Sequence, residues 1–507
     1  MSTTPFTLNG APVSVPADGR TLLEALRDLG VHSAKDGCSP QGQCGCCTVW
    51  VDGQPRVACV TPSARVAGRS VTTLEALPDA DEWGRRLCST GGSQCGFCTP
   101  GIVMRLAAIA PAQRTDASVR QALLAHVCRC TGWNTVVEAA LLPADEVPTG
   151  HGWSRHLGAA EERAALEGGV PQHVSSDVAL GHGGFAADTA PADALVAVRA
   201  ADGSWVVGES LAEARRASGK VQGRRTTEPL RWPIDLPAGD WARTLQTTWV
   251  EPGYLEPDAA WCAPGGEPVG PLCNGGAFGG KAHSDVGAVA RQLADQHGRT
   301  VLALYSREDV VRLGPKRPPI AAGIRADGTG VVRVARTAGI AAAIASVAPH
   351  LVVEEVDVLG PPTSVDVRGA GWAEALVLTA PDDGWVTAPN GARAHAVVAD
   401  DGSVHVRVEC GAAVDPAVLR SYCIGAAHMA LGWVRSEGIT VGDDGVPLDL
   451  TMRSFGLLRA VDTPFITVDI EPSDADPVNG SDAVFAAVAA AAWRAGGFAP
   501  RWPTMRT

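Results

Sequence analysis

The chain has 507 residues, 46% of them hydrophobic and 19% charged, and a formal net charge of −13. That length allows about two to four domains and a large buried core. The acidic balance argues against nucleic acid or an anionic membrane as partner. The chain opens on polar MSTTPFTLNG without a signal-peptide pattern, and its longest apolar run, residues 483–493, is too short and alanine-rich to span a bilayer. The expectation is a cytoplasmic protein with no membrane contact. Its 14 cysteines, mostly clustered at ligand spacing in a long chain, point to a reducing compartment rather than to disulfides.

In chain order, residues 6–8 and 13–15 are predicted strands around Asn9-Gly10, a hairpin signal. Residues 21–29 carry a helix pattern that stops at Gly30. A glycine-containing loop follows with Cys38, Cys44, Cys46 and Cys47, then strands near 49–51 and 57–60 around Asp52-Gly53, which return the chain to Cys59. Helices are predicted at 81–89, 99–110, 118–127 and 134–142. They are broken by QCGFC (Cys95, Cys98) and CRC (Cys128, Cys130), and Thr99-Pro100 reads as the start of the second.

Eight of these nine cysteines fall into two sets of four. Four thiolates per set suit a [2Fe–2S] cluster, with two sulfurs on each iron. Glycine lets backbone come close to a cluster, and a helix N-terminus beside Cys95 and Cys98 favours thiolates. A four-cysteine zinc site and buried free thiols are the rival readings; the two groups together favour iron–sulfur.

At these residues the chain resembles the iron–sulfur part of the xanthine dehydrogenase and aldehyde oxidase family, the molybdenum hydroxylases. The resemblance implies that Cys38, Cys44, Cys47 and Cys59 hold an outer cluster, and Cys95, Cys98, Cys128 and Cys130 an inner one. The Cys38–Cys44 loop is one residue longer than the family pattern. Cys46 is a spare thiol, and the choice of Cys47 over Cys46 rests on the resemblance.

Residues 146–175 read as a linker, with a helical turn near 161–167 and with His151, His156 and His173 as exposed linker residues. Beyond it, strands are predicted at 194–198, 205–207, 245–250, 301–306, 324–337, 394–408 and 466–470. Helices are predicted at 210–220 with Ser210 as N-cap, at 415–434 and at 481–495. A glycine loop at 275–281 (GGAFGGK) opens a helix that stops at Gly298. Backbone N–H groups of such a loop can cradle an anion, and an ordinary tight turn is the plain alternative. Cys262, Cys273, Cys410 and Cys423 are scattered and read as core thiols.

The same family resemblance extends here, in order, through 254–257 (YLEP), the glycine loop, 306–319 (SREDVVRLGPKRPP), 367–375 (VRGAGWAEA) and 414–425 (VDPAVLRSYCIG). It implies a molybdopterin cofactor contacted by Gln94, Gly275, Gly276, Phe278, Gly279, Gly280 and Arg368, with Asp476 placed where the family's glutamate base stands. Most of the family's segment between Glu256 and Gly275 is missing. Ala282 stands where some members carry a substrate-binding carboxylate, and Tyr422 where the pterin meets a glutamine.

The fold expected is α+β: a β-grasp [2Fe–2S] ferredoxin-like domain (1–80), a four-helix [2Fe–2S] domain (81–145), the linker (146–175) and a shortened molybdopterin-binding-like domain (176–507). Two functions follow. One is a molybdenum hydroxylase-type oxidoreductase, acting on an aldehyde or N-heterocycle and passing electrons through both clusters to a separate FAD-binding subunit in an oligomeric complex. The other is an electron-transfer or scaffold subunit whose second half has lost the cofactor.

Overall fold

The computed structural model describes residues 2–148, 155–272, 274, 276–381 and 384–505. Gly275, Cys273 and His151 lie outside the described residues. The chain is α+β. Strands β1 (Thr3–Leu8), β2 (Ala11–Pro16), β3 (Thr48–Val51), β4 (Gln54–Val57) and β5 (Ser70–Thr72) form one sheet in the order β2-β1-β5-β3-β4. Helix α1 (Leu22–Asp28) crosses it, started by a capping box in which Thr21 accepts from the Glu24 amide and Glu24 accepts from the Thr21 amide. The strand expected over 57–60 ends at Val57. Ala58–Val60 is instead a tight 3-10 turn, and it carries Cys59 into the core.

Helices α2 (Ala80–Thr90), α3 (Thr99–Leu106), α4 (Asp116–Ala122) and α5 (Asn134–Leu141) make up the helical unit. The third of these begins two residues earlier than its pattern suggests because Thr115 caps it, accepting from the Ser118 amide. The linker holds a full helix, α6 (Leu157–Gly168), whose Arg163 and Glu167 are buried. His156 caps it through Nδ1, while His173 is exposed. Two single turns follow, α7 (Ser176–Ala179) and α8 (Ala186–Thr189).

The second half contains β6 (Leu195–Arg199), β7 (Trp205–Gly208), α9 (Leu211–Ser218), β8 (Arg243–Gln246), β9 (Ala259–Cys262), α10 (Val286–His297), β10 (Val301–Leu304) and α11 (Arg307–Leu313). It continues with β11 (Ile320–Ile324), β12 (Gly330–Ala335), α12 (Ile340–Ala345), β13 (Leu351–Val356), α13 (Trp372–Thr379), β14 (Trp385–Thr387), β15 (Arg393–Val398) and β16 (Val404–Glu409). It closes with α14 (Pro416–Arg435), β17 (Ile466–Ile470) and α15 (Ser481–Ala495). The strands form three four-stranded sheets, β7-β6-β10-β9, β13-β12-β11-β8 and β14-β15-β16-β17.

The strand-like stretches 324–337 and 394–408 mark hairpins, β11–β12 and β15–β16, turned at Asp327-Gly328 and Asp401-Gly402. Ser210 caps α9 and Asp415 caps α14, as their types favour. Buried α14 and α15 pack on each other, with Trp433 stacked on Phe485 at 5.3 Å. One apolar core runs from the cysteine loops into Ile439, Leu450, Met452 and Phe455 of the second half.

Candidate metal centres

The outer loop leaves β-grasp helix α1 and returns through the β3–β4 hairpin, and this brings five sulfurs together in the core. Cys38 is held well below the ordinary thiol range by thiol donation from Cys44 and then Cys59. Cys59 is pushed up by its contacts with Cys38 and Cys47, and its amide donates to Cys47 Sγ at 3.4 Å. Cys38, Cys44, Cys47 and Cys59 therefore form one chain of contacts. The Gln41 amide donates to Cys38 Sγ at 3.1 Å, and such bonds to ligand sulfur help set a cluster's potential.

Cys46 sits differently. Its thiol touches Cys44 and feels Cys38 and Cys47 of its own loop as well as Cys128 of the second set, and Cys98 in turn feels Cys46. The second set is built by the turn before α3 and the turn before α5. Cys130 donates to Cys95 Sγ at 3.7 Å, and Cys128 is lowered to about 6, chiefly by donation from Cys98. Among the described residues no three Cys, His, Asp or Glu side chains are placed to hold a single metal ion. A [2Fe–2S] cluster spreads four sulfurs over two irons.

The two sets touch through backbone. The Val127 amide, beside Cys128, donates to Cys44 O at 3.0 Å. A Cβ on Gly101 would lie 2.3 Å from Gly45 O, so only glycine allows α3 this close to the outer loop. His126 is wedged into the same contact. Its Nε2 lies 3.2 Å from Gly101 O and 3.3 Å from Thr48 Oγ1, and burial pushes its pKa down to about 4. Nothing in the sequence singled out His126, since a buried histidine of this kind carries no spacing signal.

The residues expected to contact a pterin are gathered beside the inner set. Gln94 Nε2 donates to Cys130 O at 3.1 Å and to Ser421 Oγ at 2.9 Å, leaving Oε1 buried without a partner. The Arg368 amide donates to Phe278 O at 3.0 Å, and its guanidinium lies 5.4 Å from the Phe278 ring. That guanidinium is tied down: Nε donates to Asp482 Oδ1 at 2.7 Å and Nη2 to Ser481 Oγ. In front of α15 stands Glu167, which accepts from the Gly480 amide at 3.0 Å and the Ser481 amide at 2.8 Å and pairs with buried Arg163. Asp476 is not brought here; it lies on an exposed loop before α15. Sequence reasoning missed Glu167, because its helix was taken for linker.

As packed here, these residues close against one another. The glycines serve the chain's own packing: an added Cβ would meet Gly168 O at 2.7 Å from Gly276, Asp366 O at 1.7 Å from Gly279 and the Tyr254 ring at 2.6 Å from Gly280. Helix α10 starts at Val286, so the loop's amides are not the N-terminus of a helix. The cavities are about 30 Å³ beside Phe278 and Arg368, about 10 Å³ beside Gln94 and Tyr422, and about 30 Å³ beside Cys95 and Cys130. Those volumes hold a water or two, against about 300–1,000 Å³ for an organic ligand. The resembling segments instead form a buried charge network. Lys281 pairs with Glu256 at 2.6 Å, Lys316 with Glu251 at 2.9 Å, and Arg317 with Glu374 at 2.5 Å.

Comparison with known proteins finds family models over the N-terminal part of the chain. A [2Fe–2S] binding domain model matches residues 73–141, and a 2Fe–2S iron–sulfur cluster binding domain model matches residues 2–75. The xanthine dehydrogenase iron–sulfur-binding subunit of Escherichia coli O157:H7 is 36% identical over 143 residues, covering 27% of this chain and 89% of that protein. Caffeine dehydrogenase subunit gamma of a Pseudomonas species is 34% identical over 154 residues, 28% of this chain and 92% of that one. The xanthine dehydrogenase of Emericella nidulans is 38% identical over 154 residues but only 11% of it is covered.

Over 97% of both chains the fold is similar to the aldehyde oxidoreductase of Desulfovibrio desulfuricans, with a TM-score of 0.66 at 14% identity. The Desulfovibrio gigas enzyme gives 0.56 at 17%, covering 85% of this chain and 74% of that one. Among the described residues no helix is long and apolar enough to cross a membrane. With two [2Fe–2S]-binding domains and a small-subunit relative matched almost end to end, the chain belongs to the xanthine dehydrogenase and aldehyde oxidase family, the molybdenum hydroxylases.

Proposed function

We propose that this chain is the electron-relay subunit of a molybdenum hydroxylase-type complex, and that its second half is a scaffold closed over the inner cluster. A [2Fe–2S] cluster, when bound, takes up and releases one electron at a time. In this reading Cys95, Cys98, Cys128 and Cys130 hold the inner cluster and Cys38, Cys44, Cys47 and Cys59 the outer. The Val127–Cys44 hydrogen bond gives a route between the two sets, from the residue before Cys128 to Cys44. The Gln41 and Cys59 amides and the Thr131 hydroxyl, 3.2 Å from Cys128 Sγ, stabilise ligand thiolates.

The observation that carries the scaffold half of the reading is Arg368 bound to Asp482 while Glu167 covers the N-terminus of α15. The relatives named as subunits support membership in an assembly, in which electrons enter from a catalytic partner and leave to an external acceptor.

A second reading, in which the chain itself binds a pterin and oxidises an aldehyde or N-heterocycle, is favoured by the adjacency of Phe278 and Arg368. Metal analysis of the purified chain separates the two. Two electron paramagnetic resonance signals from the reduced protein, about four irons per chain and negligible molybdenum are expected. Stoichiometric molybdenum with hydroxylase turnover by the isolated chain would overturn the scaffold reading.

A further inference from the structure

Arg307 is the first residue of α11, where the helix dipole disfavours a cation and the following Glu308 and Asp309 are the favoured types. It is nonetheless fully buried, and its guanidinium reaches back to the outer cysteine loop. Nη2 donates to Gly37 O at 2.6 Å and to Leu255 O at 2.7 Å. Gly37 O belongs to the peptide group that leads into Cys38. Gly37 is itself packed on sulfur: an added Cβ would lie 3.1 Å from both Cys44 Sγ and Cys46 Sγ, and 3.2 Å from Leu255 O. An arginine of the second half therefore stands one peptide group from the outer set.

That arginine is not neutralised by a carboxylate. Among the described residues Arg307 makes no ion pair, and its Nε and Nη1 are buried without a partner. The nearby carboxylates engage other groups. Asp258 accepts the hydroxyl of Tyr254 at 2.7 Å, and the Tyr254 ring lies 5.8 Å from the Arg307 guanidinium. Glu251 pairs with Lys316 and Glu256 with Lys281. Arg129, between Cys128 and Cys130, shows the contrast, because both oxygens of Glu437 hold it. A guanidinium stays protonated in a protein, and a buried cation is costly unless an anion lies close. Two irons held by four thiolates carry net negative charge in both oxidation states and supply that anion.

We propose that Arg307 is the counter-charge of the outer cluster, supplied by the second half of the chain, and that it raises that cluster's reduction potential. Uptake of one electron from the inner cluster makes the outer site more negative by one charge. A fixed cation favours that reduced form, and Arg307 neither gives nor takes a proton in the step. Net charge is one of the factors that set the potential of such clusters. The inference rests on the relay reading, and it gives the scaffold half a part in the relay.

Redox titration of the whole cluster-loaded protein, followed by electron paramagnetic resonance, reads the midpoint of each cluster. Arg307→Met removes the charge and keeps most of the volume. The outer midpoint should fall by at least tenfold in the one-electron equilibrium, about 59 mV, and the inner one should move much less. Arg307→Lys keeps the charge and should restore most of the outer value. An unchanged outer midpoint in Arg307→Met would overturn the inference and leave the relay reading standing. So would an Arg307→Lys protein shifted as far as Arg307→Met, since the lost hydrogen bonds rather than the charge would then be responsible. If Arg307→Met cannot hold the outer cluster, Arg307→Lys decides: a retained outer signal upholds the counter-charge, and a lost one overturns it. Unaltered protein without two cluster signals would instead sink the relay reading, and this inference with it.

Discussion

Cys46 and Cys47 are adjacent and both buried, yet the structure gives them different surroundings. Cys47 Sγ receives the Cys59 amide and lies beside Cys59 Sγ, within the outer contact chain. Cys46 Sγ faces Cys44 O at 3.8 Å and lies between the outer sulfurs and Cys128, and among the described residues it has no amide donor of the kind Cys47 has. Cys46→Ser should therefore keep both resonance signals, its hydroxyl donating to the same carbonyl. Cys47→Ser should remove the outer signal, and Cys128→Ser the inner one alone. A Cys46→Ser protein that loses the outer cluster would reverse the assignment. The two groups of cysteines stand out in the sequence because cluster ligands recur at close spacing. The choice between two neighbours does not, because it depends on which face of the loop meets β3 and which meets α3.

Helix α6 shows why one element escaped sequence reading. LGAAEERAALEG has no broad apolar stripe, so it reads as a solvated turn in a linker. Its buried face is an ion pair instead: Arg163 donates to Val478 O at 2.8 Å and pairs with Glu167, which accepts two amides of the α15 start. A carboxylate at a helix N-terminus is favoured by the helix dipole. The partners lie more than 300 residues away in sequence, as Glu167 and Ser481 do, and no local pattern records them. By contrast α9, α14 and α15 were legible from caps and periodicity. Glu167→Ala removes one member of a buried pair, for which about 3–5 kcal/mol is typical. Glu167→Gln keeps an acceptor for the amides and should lose less. Thermal and urea unfolding read both; an unchanged midpoint for Glu167→Ala would mean that α6 is not fastened to α15.

The whole molecule was expected as an iron–sulfur half joined by a linker to a separate second half, but the two share a core. Arg129, between the ligand candidates Cys128 and Cys130, donates to both oxygens of Glu437 at 2.6 and 2.8 Å and to Pro252 O at 2.8 Å. Both partners are buried, and burial pushes the Glu437 carboxyl up while Arg129 opposes the shift. Gln94–Ser421 and Arg307 Nη2 to Gly37 O at 2.6 Å cross the same boundary, and Arg155 of the linker joins Cys88 O to Asp415 at 2.7 Å. The motif CRC made its cysteines legible, but the arginine's partner is 308 residues away. If the halves are one cooperative body, a single thermal transition should report tryptophan fluorescence and cluster absorbance together. Glu437→Gln leaves the Arg129 charge buried and unpaired, which typically costs about 3–5 kcal/mol. Its transition should fall, and the inner cluster should bleach before the outer because Arg129 sits between two of its ligands. Replacing both partners, Arg129→Leu with Glu437→Leu, removes the stranded charge and should recover much of the loss. Two separate transitions in the unaltered protein, or a double variant no better than Glu437→Gln, would show that the second half is hung on the clusters and not built into them.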